Sequence, residues 1–335
     1  MISIIICHNK GNFLEKALES VYASKEVEFE VIVMTTLYMQ NEPITHLRQR
    51  FPQAKFIHQE GGPDIKRNQG AKHAHGDYLA FFDDDIEMTP HALWEMKRTM
   101  DHHKAQMVFG KTKNMEHRDR FDEAGSFLTW SGFLWARAES GVVDTGQFER
   151  EEPILAGKSA ACMIRKLFFF RVGGFDTTFG ILGEETDLAW RVWLLGGQVW
   201  WCPRSITYHA FNTKFKPQDF YTNDRVYFNG CRNYITMLLK NLGHQNLWIV
   251  PVHGAVWFVA ALGMMLTGKW KSGCNILRGL IYVCGHLASI LKRRSYIQQT
   301  RVLQDKELFP LVLRQPSWSY YLHRFLRYIK IGLHG

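Results

Sequence analysis

The chain has 335 residues, 46% hydrophobic and 22% charged, enough for a substantial core; disorder, collagen and a disulfide-stapled miniprotein are excluded. Its formal charge of +9 is unevenly placed. Residues 1–240 carry 29 Lys/Arg against 30 Asp/Glu, whereas residues 241–335 carry 12 against 2.

The first half alternates strand-like and helix-like segments. Ile2 to Cys7, Phe29 to Met34, Ala54 to His58 and Tyr78 to Phe82 are short, β-branched or aromatic runs bounded by polar residues, which predicts buried strands. Between them Phe13, Ala17, Leu18 and Val21 recur at helical spacing, as do Ala92, Leu93 and Met96. The alternation predicts an α/β fold with a mainly parallel sheet flanked by helices, and ligands at the carboxyl ends of its strands. The six scattered cysteines form no C-x-x-C pair, and Met1 leads directly into the first strand, so reduced thiols and a cytosolic face are expected.

Near Tyr234 the pattern turns helical, aromatic and basic. Asn246 to Gly268 contains no Lys, Arg, Asp or Glu, and Cys274 to Leu291 is nearly as apolar, interrupted by Arg278 and His286. Both tracts approach membrane-spanning length. A single crossing, however, would put most of the basic tail on the outer side, against the positive-inside tendency. Re-entrant or in-plane association with an anionic membrane surface is the expectation, with a true span or a buried soluble helix as alternatives. The last helix agrees with it: Trp318, Tyr321, Leu322, Phe325, Leu326 and Ile329 share one face, with Arg324, Arg327 and Lys330 off it. That apolar company favours membrane over nucleic acid for the basic region. The boundary is drawn at 240, giving a domain of residues 1–240 and a helical region of residues 241–335.

The strongest local signal is Tyr78-Leu-Ala-Phe-Phe-Asp83-Asp84-Asp85, an apolar strand delivering three carboxylates to its end. Oxygen ligands on Mg²⁺ or Mn²⁺ would relieve that crowding, although acids at a strand end also serve turns. By alternation Asp83 and Asp85 form a pair and Asp84 faces elsewhere. A second acidic group, Glu184-Glu185-Thr-Asp187, opens a helix in which Asp187 and Arg191 stand four apart. Those carboxylates either favour the helix dipole or supply a general base for a sugar hydroxyl. Ile206-Thr-Tyr-His209 ends a further β-like run with a histidine that is either a surface or core residue or a ligand.

Taken in order, these residues resemble family 2 glycosyltransferases, in particular the rhamnosyltransferase-like branch of bacterial surface polysaccharide assembly. The resemblance runs over about 240 residues: Ser3 to Asn9, Arg67-Asn68-Gln-Gly70, Ala74-His-Gly76-Asp-Tyr, Asp83-Asp84-Asp85, Asp122-Glu-Ala-Gly125, Asp144-Thr-Gly146, Ala156-Gly157, Met163-Ile-Arg165, Gly173-Gly-Phe-Asp176 and Glu184-Glu185-Thr-Asp187-Leu188. It implies a GT-A, Rossmann-like catalytic domain, a nucleoside-diphosphate sugar donor, inversion at the anomeric carbon and a lipid-linked or surface-glycan acceptor. By the same resemblance Asp83, Asp85 and His209 hold Mg²⁺ or Mn²⁺, Glu185 is the base and Glu184 tunes it. Asn9, Thr35, Arg67, Asn68, Asp83, Asp84 and Asp85 then face the donor, and Gly157 and Asp187 the acceptor. The chain departs from the family at Val33-Met34-Thr35-Thr36, where an aspartate commonly binds the nucleoside, and at the first loop, Cys7-His8-Asn9, which is one residue short.

Other motifs fail on spacing. Gly157-Lys158-Ser159 mimics the end of a P-loop, but residue 152 is Glu where a glycine is required, and no G-x-G-x-x-G occurs. Q-x-x-R-W, associated with processive synthases, is absent, which favours transfer of a single sugar. The expected protein is therefore a metal-assisted inverting transferase at the cytoplasmic face of the inner or plasma membrane, peripheral or re-entrant. A donor-binding or scaffolding relative without catalysis is the competing reading.

Overall fold

The computed structural model describes residues 1–9, 13–138, 140–210 and 224–317. The amphipathic segment expected from Trp318 to Ile329 lies outside the described residues. The chain forms two compact units, one from Met1–Ser126 and Ala136–Thr213 and the other from Phe127–Trp135 and Lys214–Gly335. The division falls before residue 224, earlier than the boundary expected at 240.

The order along the chain is β1 (Ile2–His8), α1 (Leu14–Tyr22), β2 (Phe29–Thr35), α2 (Glu42–Arg50), β3 (Ala54–His58), α3 (Pro63–His73), β4 (Tyr78–Asp83), β5 (Ile86–Met88), α4 (Ala92–His102), β6 (Met107–Asn114), β7 (Phe121–Glu123), β8 (Ser126–Leu128), β9 (Leu134–Ala136), β10 (Ala161–Arg165), α5 (Lys166–Arg171), α6 (Glu184–Leu194) and β11 (Val199–His209). The main sheet has the order β3-β2-β1-β4-β10-β6-β11-β5, with β7 added beside β6. Its first four strands are parallel, as the alternating pattern predicts. Strands with helices on both faces read as continuous apolar runs, and Ile4, Ile5 and Ile6 are fully buried accordingly.

The remainder meets the expectation of a mainly parallel sheet only in part. β11 runs parallel to β6, but β10 is antiparallel to both β4 and β6, β5 to β11 and β7 to β6, so the sheet is mixed. The chain reaches β10 through the irregular stretch after β9 instead of a helical crossover, and the crossover is what makes neighbouring strands parallel.

The second unit contains α7 (Asp224–Asn241), α8 (Ile249–Leu266), α9 (Trp270–Gly285), α10 (Leu287–Thr300) and α11 (Asp305–Val312). Its apolar centre is built on Tyr227, Cys231, Ile235, Ala261, Ile276, Val283 and Ile290. Arg294 of α10 donates to the Leu239 and Leu242 carbonyls, satisfying acceptors that the end of α7 leaves open. Pro251 sits in the first turn of α8, where its missing N–H costs no helical bond. His244–Leu266 is long and apolar enough to cross a membrane, with mean hydropathy 1.9, whereas α9 and α10 meet at a 65° bend.

Candidate functional site

Parallel β4 carries Asp83 to the carboxyl edge of the sheet, and the following turn presents Asp84 and Asp85. The alternation read from the sequence holds. Asp84 faces His8 of β1, with Oδ2 at 2.7 Å from the imidazole Nδ1, while Asp83 and Asp85 face His209 at the end of β11. Pairing of β11 with β5 places His209 opposite Ile86, next to Asp85 in sequence. His209 Nε2 lies 3.2 Å from Asp85 Oδ1 and 3.9 Å from Asp83 Oδ2, and one ligand atom from each residue falls within 4.8 Å of the others.

The other imidazole nitrogen of His209 is held by Asp122 of β7, Nδ1 to Oδ2 at 2.8 Å, and Lys158 donates to the same carboxylate oxygen at 2.5 Å. Burial and Lys158 oppose a charged imidazole, yet the carboxylates of Asp122 and Asp85 outweigh them and raise its pKa to about 9. Burial works against the Asp122 anion too, but Lys158 and His209 hold its carboxyl well below the usual range. Two carboxylates and an imidazole whose far nitrogen is fixed by a third carboxylate form a donor set that fits a hard divalent ion such as Mg²⁺ or Mn²⁺. Binding one would displace the imidazole proton.

A buried arginine joins this triad to the second acidic group. Arg67, on α3, is 2% exposed and lies over the Phe175 ring. Its Nη2 donates to Asp83 Oδ1 at 2.8 Å and its Nη1 to Glu184 Oε1 at 3.2 Å. The guanidinium expected to face the donor is thus held between two carboxylates, where its planar fork suits both.

Leu182 and Gly183 take left-handed backbone angles, φ 74° and 84°, and turn the chain into α6 with both glutamates in its first turn. Glycine at the second position carries no Cβ penalty. Glu184 is buried and Glu185 half-buried. Burial raises the pKa of Glu184, offset in part by Arg67; burial and then the neighbouring Glu184 charge push Glu185 well above the ordinary carboxylate range. A half-buried carboxylate of raised basicity is suited to taking a proton from a hydroxyl.

The other expected site residues are engaged locally. Asn9 Oδ1 accepts from Lys66 Nζ. Thr35 is fully buried, and its Oγ1 accepts the Leu37 N–H at 3.0 Å. Asn68 uses both ends of its amide on the backbone of Phe175, bracing the loop that leads to α6. Asp187 has no exposure and accepts from Arg191 Nε at 2.9 Å, the i,i+4 pair expected from the sequence. Gly157 is buried against Phe109, whose Cβ would stand 2.8 Å from an added Cβ.

Asp122 and Lys158 carry no assigned role in the sequence reading. Asp122 stands 87 positions before His209, so no local period announces the contact. Its only signal is its place in the ordered series of motifs. Near this pair Glu123 is raised to about 7 by burial, with Lys158 opposing and Asp122 reinforcing the shift.

Comparisons with known proteins bear on the family and the fold. Residues 3–171, about half of the chain, match the glycosyl transferase family 2 domain. Polypeptide N-acetylgalactosaminyltransferase 10 of Rattus norvegicus is 22% identical over 231 residues, covering 64% of this chain and 38% of that protein. The chain spans 26% to 38% of the length of curated N-acetylgalactosaminyltransferases that it matches. Among solved structures, GalNAc-T7 with UDP, GalNAc and Mn²⁺ superposes with a TM-score of 0.57 at 14% identity, covering 86% of this chain and 57% of that one. S. aureus TarS 1-349 gives 0.55 at 17% identity, covering 89% and 87%. These likenesses establish a shared GT-A fold.

Proposed function

The chain belongs to glycosyl transferase family 2, and we propose that it moves a single sugar, with inversion, from a nucleoside-diphosphate sugar to a lipid-linked or surface-glycan acceptor. We assign it to the rhamnosyltransferase-like kind of enzyme that builds bacterial surface polysaccharide. The observation that carries the reading is the Arg67 fork, which ties Asp83 of the triad to Glu184 beside Glu185 and so brings ion-binding and proton-accepting groups into one site.

In this reading Asp83, Asp85 and His209 would hold Mn²⁺ or Mg²⁺, and the chemistry it would supply when bound is stabilisation of negative charge on a departing diphosphate. Asp122 keeps His209 oriented, with its Nδ1 occupied and its Nε2 directed at the carboxylates. Glu185 takes the proton from the acceptor hydroxyl, and Glu184, neutralised in part by Arg67, sets how strongly Glu185 holds it.

We further place the enzyme at the cytoplasmic face of the inner or plasma membrane, in a peripheral or re-entrant mode. Support comes from α8, where Val259 is 63% and Leu266 89% exposed, from Lys269 just before α9, and from Lys271, Lys292 and Arg293 in the helices that follow. Sedimentation with anionic vesicles, lost with neutral ones or in high salt, is the expected result.

The test of the reaction is to incubate the purified chain with Mn²⁺, a panel of nucleoside-diphosphate sugars and a membrane extract carrying lipid-linked glycans. Sugar incorporation with the anomeric configuration opposite to that of the donor is expected. Donor binding without incorporation would favour a non-catalytic scaffold, a second reading prompted by the buried, hydroxyl-committed Thr35.

A further inference from the structure

One side of α8 belongs to the protein. His253 is fully buried there, its imidazole Nδ1 2.9 Å from the Ser131 carbonyl oxygen and its Nε2 accepting the Trp257 indole N–H at 2.9 Å. Ile249 and Ala261 are buried on the same side. The opposite side is open. Val252, Val256, Phe258, Val259, Leu262 and Leu266 are each 43% or more exposed. At 100° per residue they span an arc of about 160°, and the other residues on it are a proline, an alanine and a glycine. The arc therefore carries no charge and no hydrogen-bonding side chain.

α9 turns back on α8 after residues 267–269. Gly273 comes so close that an added Cβ would stand 2.8 Å from the Ala261 carbonyl oxygen, whereas Gly279 packs on the Phe228 carbonyl and Cys231 of α7. The outer surface of α9 between those two contacts is graded. Measured from Gly273 away from Gly279, Trp270 and Ile281 stand at about 60° and 80°, and Arg278 and Lys271 at about 140° and 160°, all of them exposed. Large apolar side chains thus border α8, and cations stand further round.

Those cations have no acid in the neighbouring sequence. Residues 249–300, which include α8, α9 and α10, hold six Lys or Arg and no Asp or Glu, and Arg278 donates to the Asn275 side-chain oxygen. An apolar arc flanked by such charge complements an anionic lipid surface. The return leg argues against crossing. α9 has 16 residues, which is about 24 Å of helix against about 30 Å of hydrocarbon, and a crossing would carry exposed Arg278 close to the bilayer centre.

Resting on the membrane placement proposed above, we infer that α8 lies flat in the interface of an anionic bilayer without crossing it. The arc centred on Val259 and Leu266 sits among the acyl chains, and Lys271 and Arg278 meet the lipid phosphates.

The test uses the full chain with phosphatidylcholine vesicles, with and without phosphatidylglycerol. Flotation with the anionic vesicles is expected. Val259→Asp, at an exposed position, should weaken it about tenfold or more and Val259→Leu should preserve it, while Lys271→Ser combined with Arg278→Ser should weaken it about 30-fold. Depth is read by electron paramagnetic resonance from a spin label placed in turn at Val252, Val259 or Leu266. The labelled chain also carries Cys274→Ser and Cys284→Ser, its remaining cysteines being buried. A flat α8 puts the three labels within about 3 Å of one depth, whereas a crossing α8 puts position 259 about 10 Å deeper than the other two. The crossing pattern overturns the flat helix and leaves membrane attachment and the transferase reading standing. Binding unchanged by Val259→Asp overturns the assigned face. A chain that floats with neither vesicle overturns the membrane placement and this surface together, and leaves the transferase reading to its donor-binding test. A dimer in solution that ignores vesicles and is dissociated by Val259→Asp overturns the lipid surface in favour of an interface between copies.

Discussion

At the end of β4, Asp83 and Asp85 stand against Arg67 and His209; at the start of α6, Glu184 and Glu185 share a single guanidinium contact, that of Arg67 with Glu184. Both clusters crowd carboxylates, but their surroundings divide the work. The strand-end pair faces cationic and imidazole groups on a partly open edge, which suits coordination of a divalent ion. At the helix-start pair burial raises both pKa values, opposed at Glu184 by Arg67 and reinforced at Glu185 by the Glu184 charge, which favours proton transfer. The comparison teaches that environment assigns the roles of similar acids, and that Arg67 is the joint between them.

The largest effect should come from breaking the strand-end cluster. Asp85→Ala is expected to reduce metal-dependent donor turnover by about a thousandfold in an assay of nucleotide release. Chelation of the parent enzyme should do the same. Next, Glu185→Gln should leave donor affinity nearly unchanged while transfer falls by about 10² to 10⁴, separating the two clusters kinetically. Undiminished transfer would move the base elsewhere.

A smaller effect sharpens the first cluster. Asp122→Asn removes the anion that orients His209 and is expected to weaken Mn²⁺ binding by about 10- to 100-fold in a titration followed by calorimetry. The smallest effect concerns stability. Because Glu185 holds its proton to higher pH in the folded chain than in the unfolded one, its contribution is fully present in acid and is lost as pH rises through the raised folded value. Glu185→Gln should therefore melt a few degrees above the parent at pH 8 and show no gain at pH 4, as read by thermal scans.

Legibility in the sequence followed the range of the interactions. β1, β2, β4 and α1 were readable because each buries apolar residues of its own, with Leu14, Ala17, Leu18 and Val21 all inside, whereas β3, expected to be buried, is an edge strand with no fully buried residue. The division of Asp83 and Asp85 from Asp84 agrees with the alternation expected from the sequence, although the strand ends at Asp83 and a turn presents the other two. By contrast, β10 joins the sheet antiparallel because of how a long irregular excursion returns, and an apolar run such as Ala161–Ile164 carries no mark of direction. The same distance effect hid the Asp122–His209 bond and the burial of Arg67. A local sequence shows an arginine near a glycine, but not the two carboxylates, 16 and 117 residues further on, that close around it.

Thr35 shows the reverse limit. Its departure from the family's aspartate was visible in the sequence, whereas its burial and the adjacent Tyr38–His58 stack emerged only from the packing of β2 against β3.

The most direct test of the central claim is calorimetric titration of nucleoside-diphosphate sugars into the purified chain, with Mn²⁺ and again with a chelator. The account predicts donor binding in Mn²⁺, lost on chelation and lost in Asp85→Ala; binding that is indifferent to both the metal and Asp85 would contradict it.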